Sequence, residues 1–191
     1  MTAVARGLIE ELIPGAVEPG KFLTQLNRSL MAILHHTRTP MFASAFFMIA
    51  DAETGTMCFS NAGHPSPLHV RRALGTVEPL AQACVNAGPA LGVVEGYEYS
   101  GHERTLDEGD LIMLFTDGLF EVSRGEEEYG EERLLEAVRL RLDMPVPALF
   151  DELLSEIQCF ADNKIFEDDV CLAGMEVTRL TPSQATGVLR P

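Results

Sequence analysis

Two short acidic motifs in this sequence contain residue types that bind divalent cations, and each lies at one end of an apolar segment. Asp117 and Gly118 directly follow the segment LIMLFT, and Asp168 and Asp169 directly precede the segment VCLAGMEV. Mg²⁺ and Mn²⁺ prefer carboxylate and water oxygens, and a glycine beside a ligand lets a water or a backbone carbonyl approach closely. If the two segments are neighbouring antiparallel strands, the acids of both lie at the same edge of one sheet.

The same residues have a second interpretation that involves no metal. Asp-Gly is a common turn dipeptide, and acidic residues often flank apolar strands and protect them from aggregation. Composition and spacing leave both interpretations open.

The composition restricts the classes of function. The 191 residues include 14 basic and 29 acidic side chains, for a net charge of −15. This charge disfavours nucleic acids and anionic membranes as partners, because both bind positive surfaces. The chain contains neither an apolar run long enough to span a membrane nor an evident signal peptide. We therefore expect one globular domain in the cytoplasm.

The four cysteines do not predict a metal or disulfide framework. None of them has CxxC spacing, and two lie in apolar strand-like segments. We expect buried free thiols at Cys58, Cys84, Cys159 and Cys171.

Apolar periodicity places helices at both ends of the chain and strands between them. We predict helices over 3–13, 19–34, 131–142 and 146–161. We predict strands over 41–50, 57–63, 67–72, 97–106, 111–116 and 170–177, with a turn over 51–56 that makes the first two a hairpin.

This order of elements predicts an α+β fold with antiparallel sheets. The strands over 41–50 and 111–116 have no clear polar face, so both of their faces need cover. Two stacked sheets with helices outside would supply it.

Four segments together resemble a known family. FSNAGHPSPLHVRR, LIMLFTDGLFEV, YGEERLLEAV and DDVCLAGMEV occur in this order, as in the bacterial SpoIIE/RsbU-type serine/threonine phosphatases of the PPM (PP2C-like) superfamily. The resemblance covers residues 1–177 and leaves 178–191 as an untethered tail. It implies an αββα sandwich of two antiparallel sheets flanked by helices.

The resemblance also implies an activity and a metal site. Members of the family hydrolyse phosphoserine or phosphothreonine on anti-sigma-factor antagonist proteins, using two Mn²⁺ or Mg²⁺ ions and a metal-bridging water, without a covalent intermediate. By this resemblance Asp117, with the adjacent Gly118, contributes to the metal site. Asp168 is a further ligand, and Asp169 is the less favoured member of its pair.

The NAGH turn is expected to lie near the metal edge. The resemblance assigns Asn61 and His64 to substrate binding. Classical PP2C members have an aspartate at the position of His64, so we expect no third metal there. A purely local role in the turn is the alternative for both residues.

The opening motifs of the family domain, a first ligand aspartate and a stretch like D-x-S-G-H-G, do not occur in this sequence. We therefore expect an N-terminally incomplete domain that is weakly active or inactive alone and that dimerises or exchanges strands. We also expect an upstream sensor or receiver domain in the full-length protein. The alternatives are a non-catalytic pseudophosphatase or binding module in sigma-factor or two-component signalling, and an unrelated α+β domain.

Overall fold

The computed structural model describes residues 2–35, 41–80, 87–162, 166 and 168–181. The α-helices are α1 (Thr2–Leu12), α2 (Pro19–Leu34), α3 (Gly130–Arg139) and α4 (Val146–Phe160). The strands are β1 (Ala45–Asp51), β2 (Thr56–Ala62), β3 (Leu68–Arg71), β4 (Thr76–Pro79), β5 (His102–Thr105), β6 (Leu111–Phe115), β7 (Ser123–Arg124), β8 (Glu127–Glu128) and β9 (Leu172–Glu176). No helix in these ranges is long and apolar enough to span a membrane.

Seven of the nine described strands form two antiparallel sheets, and β7 pairs with β8 in a separate hairpin. One sheet has the order β1-β2-β5, and the other has the order β4-β3-β6-β9. Helices α1 and α2 pack with the first sheet, and α3 and α4 pack with the second. The predicted αββα sandwich is therefore confirmed.

Three apolar cores separate the four layers, because side chains alternate between the two faces of each strand. In β2, Met57 and Phe59 face the other sheet, whereas Ala62 faces α2. In β6, Ile112 faces the first sheet, whereas Met113 faces α3 and α4. This double burial explains why neither 41–50 nor 111–116 shows a polar face in the sequence.

A buried polar pair fixes the beginning of β6. The Asp110 carboxylate lies 2.8 Å from Nε2 of His69 in β3 and accepts a hydrogen bond from the Asp107 amide. The backbone carbonyl of Asp110 accepts a hydrogen bond from the amide of Val177, which follows β9. Both side chains of the pair are buried, so the three strands are held at this edge by contacts that water cannot replace.

Helix α2 is bound tightly to the segment that precedes β5. The hydroxyl of Thr24 accepts a hydrogen bond from the Tyr99 amide at 2.9 Å, and the Tyr99 hydroxyl donates to the Pro89 carbonyl at 2.8 Å. Burial raises the pKa of Tyr99 to about 12, so its hydroxyl keeps the proton that it donates. These contacts hold 97–101 against the helix, and the predicted strand over 97–106 is consequently shortened to His102–Thr105.

The other predicted elements are present with shifted ends. Helices α2 and α4 differ from prediction by at most one residue at each end, and β1 begins at Ala45 rather than at residue 41. The short β7–β8 hairpin was not predicted, because its exposed SR and EE pairs carry no apolar periodicity.

Two expectations about the surface are wrong. Cys159 and Cys171 are exposed free thiols rather than buried ones, because Cys171 precedes the edge strand β9 and Cys159 lies on the outer face of α4. Cys58 is half-buried, and Cys84 lies outside the described residues. The first residues of the predicted tail are attached, since the amides of Leu180 and Thr181 donate to Glu108 and to the Ala52 carbonyl.

Two glycine substitutions, one in α2 and one in α1, should have opposite effects on stability. A methyl group on Gly20 would lie 2.5 Å from the Tyr99 carbonyl oxygen and 2.8 Å from the Gly101 amide nitrogen. Gly20→Ala should therefore lower the free energy of unfolding by about 1–3 kcal/mol. A methyl group on Gly7 would meet nothing within 4 Å, so Gly7→Ala should raise it by about 0.5–1 kcal/mol.

Urea denaturation followed by circular dichroism measures both changes. Equal effects at the two positions would show that α2 does not approach the segment before β5 as closely as described.

Candidate metal centre

Pairing of β6 with β9 brings the two acidic motifs together. The strands are antiparallel, with Leu111 opposite Glu176 and Phe115 opposite Leu172. Asp117 leaves the end of β6 at the edge where Asp169 enters β9. The sequence-based expectation that the two apolar segments are antiparallel neighbours is confirmed.

Thr116 joins the two motifs directly. Its hydroxyl donates a hydrogen bond to the Asp169 carbonyl at 2.8 Å and accepts one from the Cys171 amide at 2.9 Å. Its own amide donates to the Cys171 carbonyl at 3.1 Å. These three bonds continue the β6–β9 pairing beyond the last strand residues, so the acids keep a fixed separation.

Residue 118 must be glycine, because neighbouring backbone atoms leave no room for a side chain. A methyl group at this position would lie 2.8 Å from the Asp169 carbonyl oxygen and 3.3 Å from the Asp168 carbonyl carbon. Gly118 does not adopt a positive φ, so close approach of the two segments, rather than backbone conformation, requires glycine here. The segment then turns through a 3-10 helix over Asp117–Leu119, closed by a hydrogen bond from the Phe120 amide to the Asp117 carbonyl.

The carboxylates are exposed and held by their own backbone. Oδ1 of Asp117 accepts a hydrogen bond from the Gly118 amide at 3.0 Å, and Oδ1 of Asp168 accepts one from the Asp169 amide at 2.7 Å. Asp117, Asp168 and Asp169 are all exposed to solvent. A carboxylate has two oxygens with several acceptor sites, so these bonds leave each group able to bind a cation.

The described ligands are of the chemical type that a divalent cation binds, but they are too few to form a complete site. Carboxylate and carbonyl oxygens are ligands that Mg²⁺ and Mn²⁺ take. Among the residues that the structure describes, however, no group of three or more His, Cys, Asp or Glu side chains could hold a metal ion. The described acids therefore suit one part of a metal site rather than a closed site.

Asn61 lies near the end of β2, and His64 lies in the turn that connects β2 to β3. Oδ1 of Asn61 accepts a hydrogen bond from the His64 amide, and Nδ2 of Asn61 donates to the His64 carbonyl, both at 2.9 Å. Nδ1 of His64 lies 2.8 Å from the Pro65 carbonyl, which can only accept, so Nδ1 carries a proton. The positive φ of this turn is at Gly63 and not at Asn61. These contacts hold the turn together, and a substrate role for either residue stays a prediction.

The turn lies toward the same edge as the acids. Leu68, at the beginning of β3, pairs with Met113 in β6. The residues before Leu68 therefore run beside the residues that follow Met113, in the direction of Asp117.

Thr116 was missed by sequence reasoning, because a single threonine at the end of an apolar strand has no distinguishing pattern.

The chain is similar to known proteins. The family model described as stage II sporulation protein E (SpoIIE) matches residues 1–178. Protein IcfG of a Synechocystis species is 27% identical over 138 residues, which are 72% of this chain and 21% of that protein. Phosphoserine phosphatase RsbU of Bacillus subtilis is 25% identical over 113 residues, which are 59% of this chain and 32% of RsbU.

A solved structure has the same architecture. The SiaA-PP2C domain of Pseudomonas aeruginosa superimposes with a TM-score of 0.75 and 20% sequence identity, over 92% of this chain and 68% of that domain. The fold is therefore that of PP2C-like phosphatase domains. The chain belongs to the SpoIIE family, and it spans about a fifth of IcfG and about a third of RsbU.

The bonds made by Thr116 predict a hydroxyl-dependent connection between the acidic motifs. Thr116→Val removes both side-chain hydrogen bonds and should lower the free energy of unfolding by about 1–3 kcal/mol. Thr116→Ser keeps the hydroxyl and should cost less than half as much. Urea denaturation measures stability, and hydrogen exchange of the Cys171 amide reports the connection locally. Unchanged exchange at Cys171 in Thr116→Val would contradict this geometry.

Proposed function

We propose that this chain is part of a metal-dependent phosphatase that hydrolyses phosphoserine or phosphothreonine on a protein of the anti-sigma-factor antagonist type. The observation that carries the proposal is the meeting of Asp117 with Asp168 and Asp169 at one edge of a PP2C-like sandwich. Membership of the SpoIIE family supports the reaction class, and the similarity to RsbU supports the phosphoserine substrate.

Asp117 and Asp168 would bind Mn²⁺ or Mg²⁺, with Gly118 allowing the two segments to approach. A divalent cation bound there supplies positive charge for the phosphoryl oxygens and acidifies a bound water. The protein's own contribution is geometric. Thr116 fixes the spacing of the acids, and the backbone amides of Gly118 and Asp169 orient their carboxylates. Preorganisation of this kind avoids rearrangement during the reaction.

Asn61 and His64 would contact the phosphorylated segment of the substrate from the neighbouring turn. With Nδ1 of His64 donating to Pro65, Nε2 is the ring atom available to a ligand. Because the polar groups of Asn61 already bind the His64 backbone, Asn61 would act mainly by orienting that histidine.

The setting of the domain is also proposed. We expect a cytoplasmic protein in which a sensor or receiver domain lies upstream and regulates dephosphorylation.

In the isolated chain we expect weak activity and a homodimer formed through β1. Among the described strands β1 pairs only with β2, and most of its side chains are half-buried, so its other edge offers unpaired backbone groups. A clean monomer in gel filtration would contradict the dimer.

A non-catalytic binding module is the second candidate. It is favoured by the lack of a three-ligand group among the described side chains. Such a module would bind its phosphoprotein without turnover and would tolerate Asp117→Asn.

Phosphatase activity separates the two candidates. We expect Mn²⁺-dependent hydrolysis of p-nitrophenyl phosphate by a version extended upstream in its gene, and little by this chain alone. In the extended version, Asp117→Asn and Asp168→Asn should each lower the rate by about a hundredfold or more, because each removes a cation ligand. Removing Mn²⁺ with a chelator should have the same effect.

Asp143→Asn is the matched control, because Asp143 is an exposed aspartate in the α3–α4 connection. It should retain full activity. Hydrolysis in neither version, or hydrolysis unaffected by Asp117→Asn, would reject the phosphatase proposal.

A further inference from the structure

A small apolar cavity lies beside the proposed metal edge, on the side of the second sheet that faces α3. Its volume is about 190 Å³. Leu68, Phe115 and Leu134 form its buried floor, and Pro79 and Leu135 form half-buried walls. Drug-sized ligands occupy pockets of about 300–1,000 Å³, so this cavity suits a single side chain better than a small-molecule ligand.

The cavity is close to the acids along the chain and in space. Phe115 is the last residue of β6, and Asp117 follows two residues later. Two extended residues span about 7 Å. A polypeptide whose phosphorylated residue reached Asp117 could therefore place a side chain in the cavity two or three residues away.

The rim of the cavity carries negative charge. Glu131 and Glu132 line it and lie in the first turn of α3. Both are exposed, and neither forms an ion pair with the basic side chains of the described residues. The two carboxylates outweigh the roughly half positive charge at the N-terminus of the helix, so this rim repels a phosphate and attracts a cation.

Together these features define one kind of occupant. The floor accepts an apolar side chain, and the rim favours a lysine or arginine next to it. We infer that the cavity is a docking site for the substrate protein, which inserts an apolar side chain two or three residues from its phosphorylated residue and places a basic side chain against Glu131 and Glu132. This inference rests on the proposed phosphatase function and deepens it by stating what the substrate sequence carries.

Binding of a fluorescein-labelled peptide to the full chain tests the inference. The probe is a nonapeptide with a central phosphoserine, leucine two residues away on both sides, and lysine beyond each leucine, so that either chain direction can dock. Replacing both leucines with alanine should weaken binding at least tenfold, because an apolar pocket discriminates by about tenfold or more for one missing methylene and alanine is three carbon atoms shorter than leucine. Replacing both lysines with glutamate should weaken binding by at least threefold at low salt, and the difference should shrink at high salt.

Charge-reversal variants of the protein show which of its residues cause the preference for the lysine peptide. The double variant Glu131→Lys/Glu132→Lys should lose the preference for the lysine peptide over the glutamate peptide. Glu136→Lys is the matched control, because Glu136 is an exposed glutamate of the same helix that does not line the cavity. It should keep the preference. Because the peptide series leaves the protein unchanged, its own result does not depend on how any variant folds.

The outcomes for docking and for catalysis are separable. Equal affinity for the leucine and alanine peptides would overturn the docking site, even if the extended version hydrolyses p-nitrophenyl phosphate. Peptide preference without hydrolysis would retain the docking site and reject catalysis. In the extended version, the double variant should hydrolyse p-nitrophenyl phosphate at the unchanged rate and lose activity only on the phosphopeptide.

Discussion

The antiparallel register of β6 with β9 is the constraint on which the proposed site depends. It aligns Phe115 with Leu172 and so places the acids that leave one strand beside the acids that enter the other. A shift of one residue would turn the apolar side chains of β9 away from their core and separate the acids. The hydrogen bond from the Val177 amide to the Asp110 carbonyl at one end and the hydroxyl of Thr116 at the other hold this register from both ends.

Burial of apolar side chains on both faces of β6 stabilises this register. Ile112 packs between the sheets and Met113 packs under the helices, and both are fully buried. A charged group cannot be accommodated within such a strand, and it is tolerated directly after it, where Asp117 reaches solvent. The exposed acids are therefore positioned by a rigid scaffold rather than by a flexible loop. Phe115, the last residue of β6, also forms part of the floor of the cavity beside α3. The cavity therefore lies beside the acids.

Apolar periodicity predicted most of the architecture. Burial on both faces leaves the strands over 41–50 and 111–116 without a clear polar face, and this feature is visible in the sequence. The four helices were found to within a few residues because each has one apolar face with helical spacing. Periodicity could not predict the short β7–β8 hairpin or the end of β5, where hydrogen bonds from Tyr99 to Thr24 and Pro89 compete with strand pairing. The acids were identified from their positions in the sequence. The role of Thr116 depends instead on contacts between residues more than 50 positions apart, and the cavity is lined by residues from separate segments of the chain.

The most direct test of the central claim is a titration of the ¹⁵N-labelled chain with Mn²⁺, followed by paramagnetic broadening of its backbone amide signals. If Asp117 and Asp168 bind a cation, the amides of Gly118 and Asp169 will broaden first, and Asp117→Asn will abolish the effect. If broadening instead begins at other acidic surfaces, or is uniform along the chain, the two acidic motifs do not form a metal site.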